Sequence, residues 1–443
     1  MHKNFLSIII LTLILHNAIG QEMLILKDAV AIGLENNFDI QIAGKDQVIN
    51  ANNNNWGNAG LYPTVDLSIA KNYQSQNVDL EIQGAEGTFR VTSDGAKSDR
   101  LNSNAALNWT VFDGLAMFFT KDKLEELENR GDLLKRVTVE NTLAAIYNSY
   151  YQIVLEQDKL NVIEQTMEIS NQRLSFAKER YDVGKGSKIN YLAAQVDYNT
   201  DQSELLRQKE LLSSAKINLN VLLGRESGYA FSVTENIDIN EALQLEALLG
   251  RLNDFNPSLL TAVSDQNVAY LEYKELVAER YPRINLDLSY GKTIQNNEAG
   301  QLRSANTTGL SYGISATWNI FNGFNKTREI QNARINREIT ELEKAAMILD
   351  LEGAIHKTYI NYSNNLELIK LENLNVDVAL ENVSIALDRY ELGAGTSLEL
   401  REAQRNAVDS QNRLLDAQLT AKLAEIELLR LTGSIIDKDR PVD

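Results

Sequence analysis

The chain has 443 residues, a formal net charge of -18, four prolines and no cysteine. It can therefore form no disulfide, no thiolate metal site and no cysteine-linked lipid anchor, and its acidity argues against a nucleic-acid partner, which wants a basic face. The length suggests two or three domains, yet no Pro/Ser-rich linker divides the chain.

Residues 1–20 read as a signal peptide: Lys3 in a short basic start, an apolar run from Phe5 to Leu15, and the small residues Ala18 and Gly20 before Gln21. The run is too short for a spanning helix, which needs roughly 20 residues, and no later run of that length lacks charges. The expectation is a mature chain that leaves the cytoplasm without a helical membrane anchor.

Residues 21–224 then read as one structural unit. A helix is expected over Lys27–Ala59. After Tyr62-Pro63 the pattern changes to period two, with Val65, Leu67 and Ile69 alternating with Asp66, Ser68 and Ala70. A returning strand carries Leu101, Ala105, Leu107, Trp109 and Val111, so a β-hairpin is expected at about 61–113. Ala116 to Tyr181 reads as one helix of 66 residues, about 100 Å at 1.5 Å per residue. It ends in "RYDVGKGSKINYLAAQ" from Arg180 to Gln195: a Gly suited to the left-handed position after a helix, then Ser187 as N-cap of a helix running to Leu223.

After a connector at 225–240, residues 241–433 repeat the plan, and 434–443 form a tail. "RYELGAGTSLELREAQ" from Arg389 to Gln404 matches the first tip at an offset of 209, as "WNIFNG" at Trp318 matches "WTVFDG" at Trp109. "RYPRINLDL" from Arg280 matches "LYPTVDLSI" from Leu61 at an offset of 219, so the first hairpin is ten residues longer than the second, expected at about 281–321. The long helices share a seven-residue apolar period: Val139, Ile146, Ile153, Leu160, Met167, Leu174 and Tyr181, and at the 209 offset Ile348, Ile355, Tyr362, Ile369, Val376, Val383 and Tyr390. Such a period specifies a left-handed supercoil. A soluble coiled coil shares that pattern; the neighbouring seam of Leu143, Tyr150, Gln157, Glu164, Asn171 and Lys178 turns polar, as the wall of a water-filled tube requires.

The strands number four per chain, with apolar faces long enough for a tilted bilayer crossing and with Trp109, Phe112, Trp318 and Phe321 at their ends, where interfacial aromatic girdles lie. Four strands cannot close a barrel, and an open edge in lipid leaves backbone groups unsatisfied. Two chains would give eight strands and a filled interior; three would give twelve and a lumen, which favours a homotrimer. Catalytic patterns are nearly absent. His356 lies within a helix, "GAGTSL" from Gly393 lacks the third glycine of a dinucleotide loop, and "GKT" at Gly291 falls on a strand. No enzyme activity, cofactor or metal is expected.

Together the doubled helix-hairpin-helix plan, the "YP" strand starts, the "W-x-x-F-[DN]-G" strand ends and the paired "RYxxGxG" tips resemble the outer membrane efflux protein family, the TolC-like exit ducts. The resemblance implies a mainly α protein whose trimer forms a twelve-stranded β-barrel in the outer membrane of a Gram-negative bacterium, continued by a long periplasmic α-helical barrel. Its partners would be a periplasmic adaptor and an inner-membrane pump or exporter, in tripartite efflux or type I secretion. It places adaptor docking at Arg180, Gly184, Gly186, Ser187, Arg389, Gly393, Gly395 and Thr396. Family members often carry a basic residue where this chain has Gly395, so the closing lock must differ, and Tyr390 and Arg401 are the candidates. Glu399 and Glu402 match acidic residues lining the closed entrance, although Thr396 and Glu399 also read as a capping box and Glu402 could pair with Arg405. The alternative is a structural or adhesive outer-membrane protein working through its long loop Gln74–Arg100.

Overall fold

The structure is a computed structural model that describes residues 22–85 and 87–436; the signal segment and the end of the tail lie outside the described residues. In chain order the elements are β1 (Glu22–Met23), α1 (Leu26–Asn36), α2 (Phe38–Asn53), β2 (Thr64–Gly84), β3 (Gly87–Phe112), α3 (Ala116–Asp182), α4 (Lys188–Leu222), β4 (Phe231–Ser232), α5 (Leu245–Phe255), α6 (Pro257–Ala278), β5 (Arg283–Asn297), β6 (Ser304–Thr317), α7 (Asn325–Glu391) and α8 (Ser397–Leu431). The two long helices, α3 and α7, have 67 residues each. Two compact units result, one of residues up to 46, 133–261 and 345 onward, the other of 47–132 and 262–344. Each takes matching segments from both repeats.

In the first unit the seven-residue seams are what the helices bury. Ile146, Ile153 and Ile355 are fully buried, Leu160, Tyr362, Val383 and Tyr390 nearly so, and of the fourteen seam residues Tyr181 alone is exposed. The polar seam is less uniform than its sequence suggests. Leu143 and Tyr150 belong to a core with Leu219, Leu223, Phe231 and Ile426, whereas Glu164, Asn171 and Lys178 are exposed. The water-facing side thus begins only in the part of α3 that leads to the tip.

The expected continuous helix at Lys27–Ala59 is a correction: it breaks at Asn37 and stops at Asn53. The Asn37 side chain causes the break, its Oδ1 accepting from the amides of Asp39 and Ile40 while its Nδ2 donates to Leu222 O at 2.8 Å. A side chain offering the backbone these alternative bonds stops a helix and starts the next. In the second repeat Asn256 does the same between α5 and α6, its Oδ1 accepting from Leu259 N and its Nδ2 donating to Leu431 O at 2.8 Å.

Against each break lies a left-handed glycine, Gly224 (φ 65°) or Gly433 (φ 64°). A Cβ there would lie 2.5 Å from Asn36 O or 2.1 Å from Phe255 O. Only glycine tolerates that φ together with so close a carbonyl. Tyr150 donates to Leu24 O and Tyr359 to Leu243 O, a further pair at the repeat offsets. The internal repeat is therefore a repeat of joints as well as of helices.

The second unit carries one antiparallel sheet in the order β2-β3-β5-β6. Its helices are tied by Lys123–Glu275 and Arg130–Asp265, each at 2.5 Å. The first hairpin is a second correction. The segment expected as loop Gln74–Arg100 is strand almost throughout, β2 and β3 running 21 and 26 residues, against 15 and 14 for β5 and β6. The second hairpin ends earlier than expected, leaving Trp318 and Phe321 just beyond β6.

Candidate functional site

The two faces of the sheet differ in kind. Cross-strand partners share a face, so the register defines rows. One face carries Trp109, Leu286 and Ile314; then Val65, Leu107, Leu288 and Tyr312; then Leu67, Ala105, Tyr290 and Leu310. A bulge between Thr110 and Phe112 brings Phe112 opposite Ile284 and onto this same face. The other face carries Asp66, Ala106, Ser289 and Ser311; then Ser68, Asn104, Gly291 and Gly309; then Ala70, Asn102, Thr293 and Thr307.

The apolar face is bare: Leu67 is 75% exposed, Ile314 72% and Tyr312 80%. So large an exposed apolar surface marks a membrane or partner face. Trp109 and Trp318 sit at equivalent places, each donating its indole N–H to a carbonyl 2.9 Å away, Leu61 O and Arg280 O respectively. β2 and β6 are the sheet's edges, each paired on one side only. Among the described residues no helix is long and apolar enough to cross a membrane.

At the tips the backbone is duplicated closely. Gly184 (φ 74°) and Gly393 (φ 75°) take the left-handed turn after α3 and α7. Two residues on, a Cβ at Gly186 would lie 2.9 Å from Arg180 Cβ and one at Gly395 3.1 Å from Arg389 Cβ, so both second glycines answer to space. Ser187 caps α4 by accepting from Ile189 N at 3.1 Å. Thr396 and Glu399 form the reciprocal capping box, both bonds at 3.2 Å.

The side chains break the symmetry. Arg180 reaches from the first tip to the second, donating to Tyr390 O and Glu391 O at 3.2 Å each, with its guanidinium 5.6 Å from the Tyr390 ring centre and 5.8 Å from that of Phe176. A cation on the last carbonyls of α7 complements that helix's negative end. Among the described residues Arg389 bonds within its own turn alone, to Ala394 O. Tyr390 is 5% exposed, held against Phe176 and under Arg180.

Arg401 is not brought to Tyr390. It forms a two-pronged pair with Asp201 on α4, both bonds at 2.9 Å, and lies 3.9 Å from Asp197. Burial works against its charge, but the bonds to Asp201 and the negative Asp197 outweigh it and hold its pKa above the usual arginine value. Arg173, buried on α3, binds Asp197 at 2.5 Å, and Ser170 donates to Asp201. This cluster joins three helices, and only Arg401 had been singled out from the sequence. The spacing of Asp197 and Asp201, four apart on one helix face, was the available signal. Glu399 and Glu402 are exposed and share a groove between α7 and α8 with Asn382, Ile385, Arg389 and Asn406.

The outer membrane efflux protein family model matches residues 32–225 and 248–434, one stretch in each repeat. The chain belongs to the outer membrane efflux protein family. The cation efflux system protein CusC of Escherichia coli K12 is 21% identical over 396 residues, covering 83% of this chain and 84% of CusC. The proteases secretion protein PrtF of Dickeya chrysanthemi is 18% identical, covering 94% and 89%. The crystal structure of the outer membrane protein VceC from Vibrio cholerae superposes with a TM-score of 0.72 at 17% identity, covering 92% of this chain and 96% of VceC. The fold of this efflux protein is thus that of the TolC-like channels, its place is the outer membrane, and its task is transport.

Proposed function

We propose that three copies close their sheets into one twelve-stranded barrel, with the apolar rows facing lipid and the polar rows lining a lumen, and that their helices enclose a periplasmic duct. The single observation carrying this is the sheet: four strands, one bare apolar face, one polar face and two unpaired edges. In lipid those edges must be paired, and twelve strands leave an interior wide enough for cargo. The protein does no chemistry of its own. It is a passive duct receiving cargo from a periplasmic adaptor and an inner-membrane pump or exporter.

In this reading the tips at Gly184–Ser187 and Gly393–Thr396 dock the adaptor, and Glu399 and Glu402, tripled by symmetry, make the entrance acidic. The tie from Arg401 to Asp201, with the Arg180 clamp, holds the entrance narrow. Relatives named for cation efflux and for protease secretion share this plan, which fits a duct whose cargo is chosen by the pump. Recording from purified protein in planar bilayers tests it. The expected result is a small conductance in the parent that rises in Arg401→Ala. Silence in both, from intact assembled protein, would favour a structural or adhesive role.

A further inference from the structure

The long first hairpin changes sides, and this carries a proposal that rests on the trimeric barrel above. From Thr64 to Gln76 the even residues of β2, such as Asp66, Ser68 and Asn72, lie on the polar face, and the odd ones, Val65, Leu67, Ile69 and Tyr73, on the apolar face. Beyond Gln76 the same even positions become Val78, Leu80 and Ile82, and the odd ones Asp79, Glu81 and Gln83. On β3 an extra residue accompanies the change, because Asp94 and Gly95 together stand opposite Asn77. Gly95 takes φ 66° and donates its N–H to Asn77 Oδ1 at 2.8 Å. This bulge shifts β3 by one position. Val91 now pairs with Leu80 and Phe89 with Ile82, on the side of the polar rows.

Above the bulge, then, the ribbon's apolar side faces the way the lumen faces below it. The reverse side holds Glu81 and the paired Arg90 and Asp79. β5 pairs with β3 only as far as Ser98, and the turn of the second hairpin then lies beside the base of the ribbon, where a Cβ on Gly300 would come within 3.9 Å of Leu80 Cδ1. The ribbon's root is pinned there, Lys97 N donating to Glu298 Oε2 and Glu298 N to Lys97 O, both at 2.9 Å. Leu80 and Phe89 are 43% and 53% exposed in the single chain, while Val78, Ile82 and Val91 are half-buried. A lipid partner would require these side chains on the outer face, where Val65 and Leu67 are. The side they occupy is turned toward the axis around which three copies close.

We propose that the ribbons of three copies pack together through Val78, Leu80, Ile82, Phe89 and Val91 and form an apolar cap over the outer mouth of the barrel. The occupant of the part of each ribbon's apolar face that its own chain leaves open, centred on Leu80 and Phe89, is the same face of the neighbouring copies. Cargo passing outward must part them.

The natural absence of cysteine makes the test clean. Phe89→Cys and, separately, Glu81→Cys are expressed in the full chain, extracted from outer membrane as assembled protein, and oxidised. Expected are disulfide-linked dimers from Phe89→Cys, joining at most two of three chains, and few or none from Glu81→Cys. Leu80→Cys serves as the second inward probe should Phe89→Cys assemble poorly. Leu80→Asp with Phe89→Asp should raise single-channel conductance at least severalfold at unchanged assembly. Intact trimers that give no inward cross-link, that cross-link equally through Glu81→Cys, or whose ribbon is captured only by a different protein would overturn the cap while leaving the duct standing. Protein that never assembles as three copies would remove the duct and the cap together.

Discussion

The two tips are one backbone with two sets of attachments. Both turn at a left-handed glycine, both close over a second glycine whose Cβ would crowd the arginine six residues earlier, and both start the next helix from a capping hydroxyl. Yet Arg180 clamps the opposite tip whereas Arg389 stays within its own, and the Arg173–Asp197–Arg401–Asp201 cluster has no copy at the 209 offset, where Asn382, Asn406, Leu192 and Ser410 stand. What the fold needs is duplicated. What differs between the two tips is held in a few charged side chains, whose ties are few and local.

That contrast can be broken most forcefully at the duplicated joints. Gly224→Ala and Gly433→Ala should each cost about 2–4 kcal/mol, combining left-handed strain with a clash against a carbonyl, and should do so alike in thermal unfolding of the assembled protein. A large cost at one joint only would end the claim that the repeats share their framework. Next in size is Arg401→Ala, expected to cost about 2–3 kcal/mol, below the full range for a broken buried pair because the guanidinium keeps some contact with water. Its repeat counterpart Leu192→Ala should stay within about 1 kcal/mol, as exposed substitutions do. Equal effects would make the cluster ordinary packing.

Arg180→Ala should cost about 1–2 kcal/mol through lost bonds to α7 carbonyls and lost ring contact, and Arg389→Ala distinctly less, as read from denaturant midpoints. Reversal of that order would move the clamp to the other tip. Smallest is the cap: Thr396→Ala, which dismantles a capping box, should cost about 1 kcal/mol and somewhat more than Ser187→Ala, which loses a single bond. Identical values would show that the Glu399 half contributes nothing as a cap.

Much of this was legible in the sequence because it was written twice or periodically. The seam from Val139 to Tyr181, the alternation around Val65 and Ile284, and the tip glycines all announced themselves by spacing. The break at Asn37 did not, since its partner carbonyl, Leu222 O, is far off in the chain, whereas the break at Asn256 does have a local mark in Pro257, which opens α6 and disfavours a helical residue before it. Gln74–Arg100 reads as a loop in the sequence, because Gly84, Gly87 and Gly95 interrupt it and its apolar phase switches at the bulge, which hides the alternation along one strand. Arg180 was placed at the docking surface, but its backbone acceptors leave no mark in the sequence. Arg173 with Asp197 was missed for a similar reason: a buried ion pair between helices follows no local period.

The number of copies in the assembled protein decides whether the sheet edges of β2 and β6 are paired. Native mass spectrometry of protein extracted from outer membrane should give a single species of three chains, whose four-stranded sheets together close the barrel. A stable, lipid-embedded monomer or dimer with its full strand content would contradict it, because the unpaired edges of β2 and β6 would then have to be satisfied some other way.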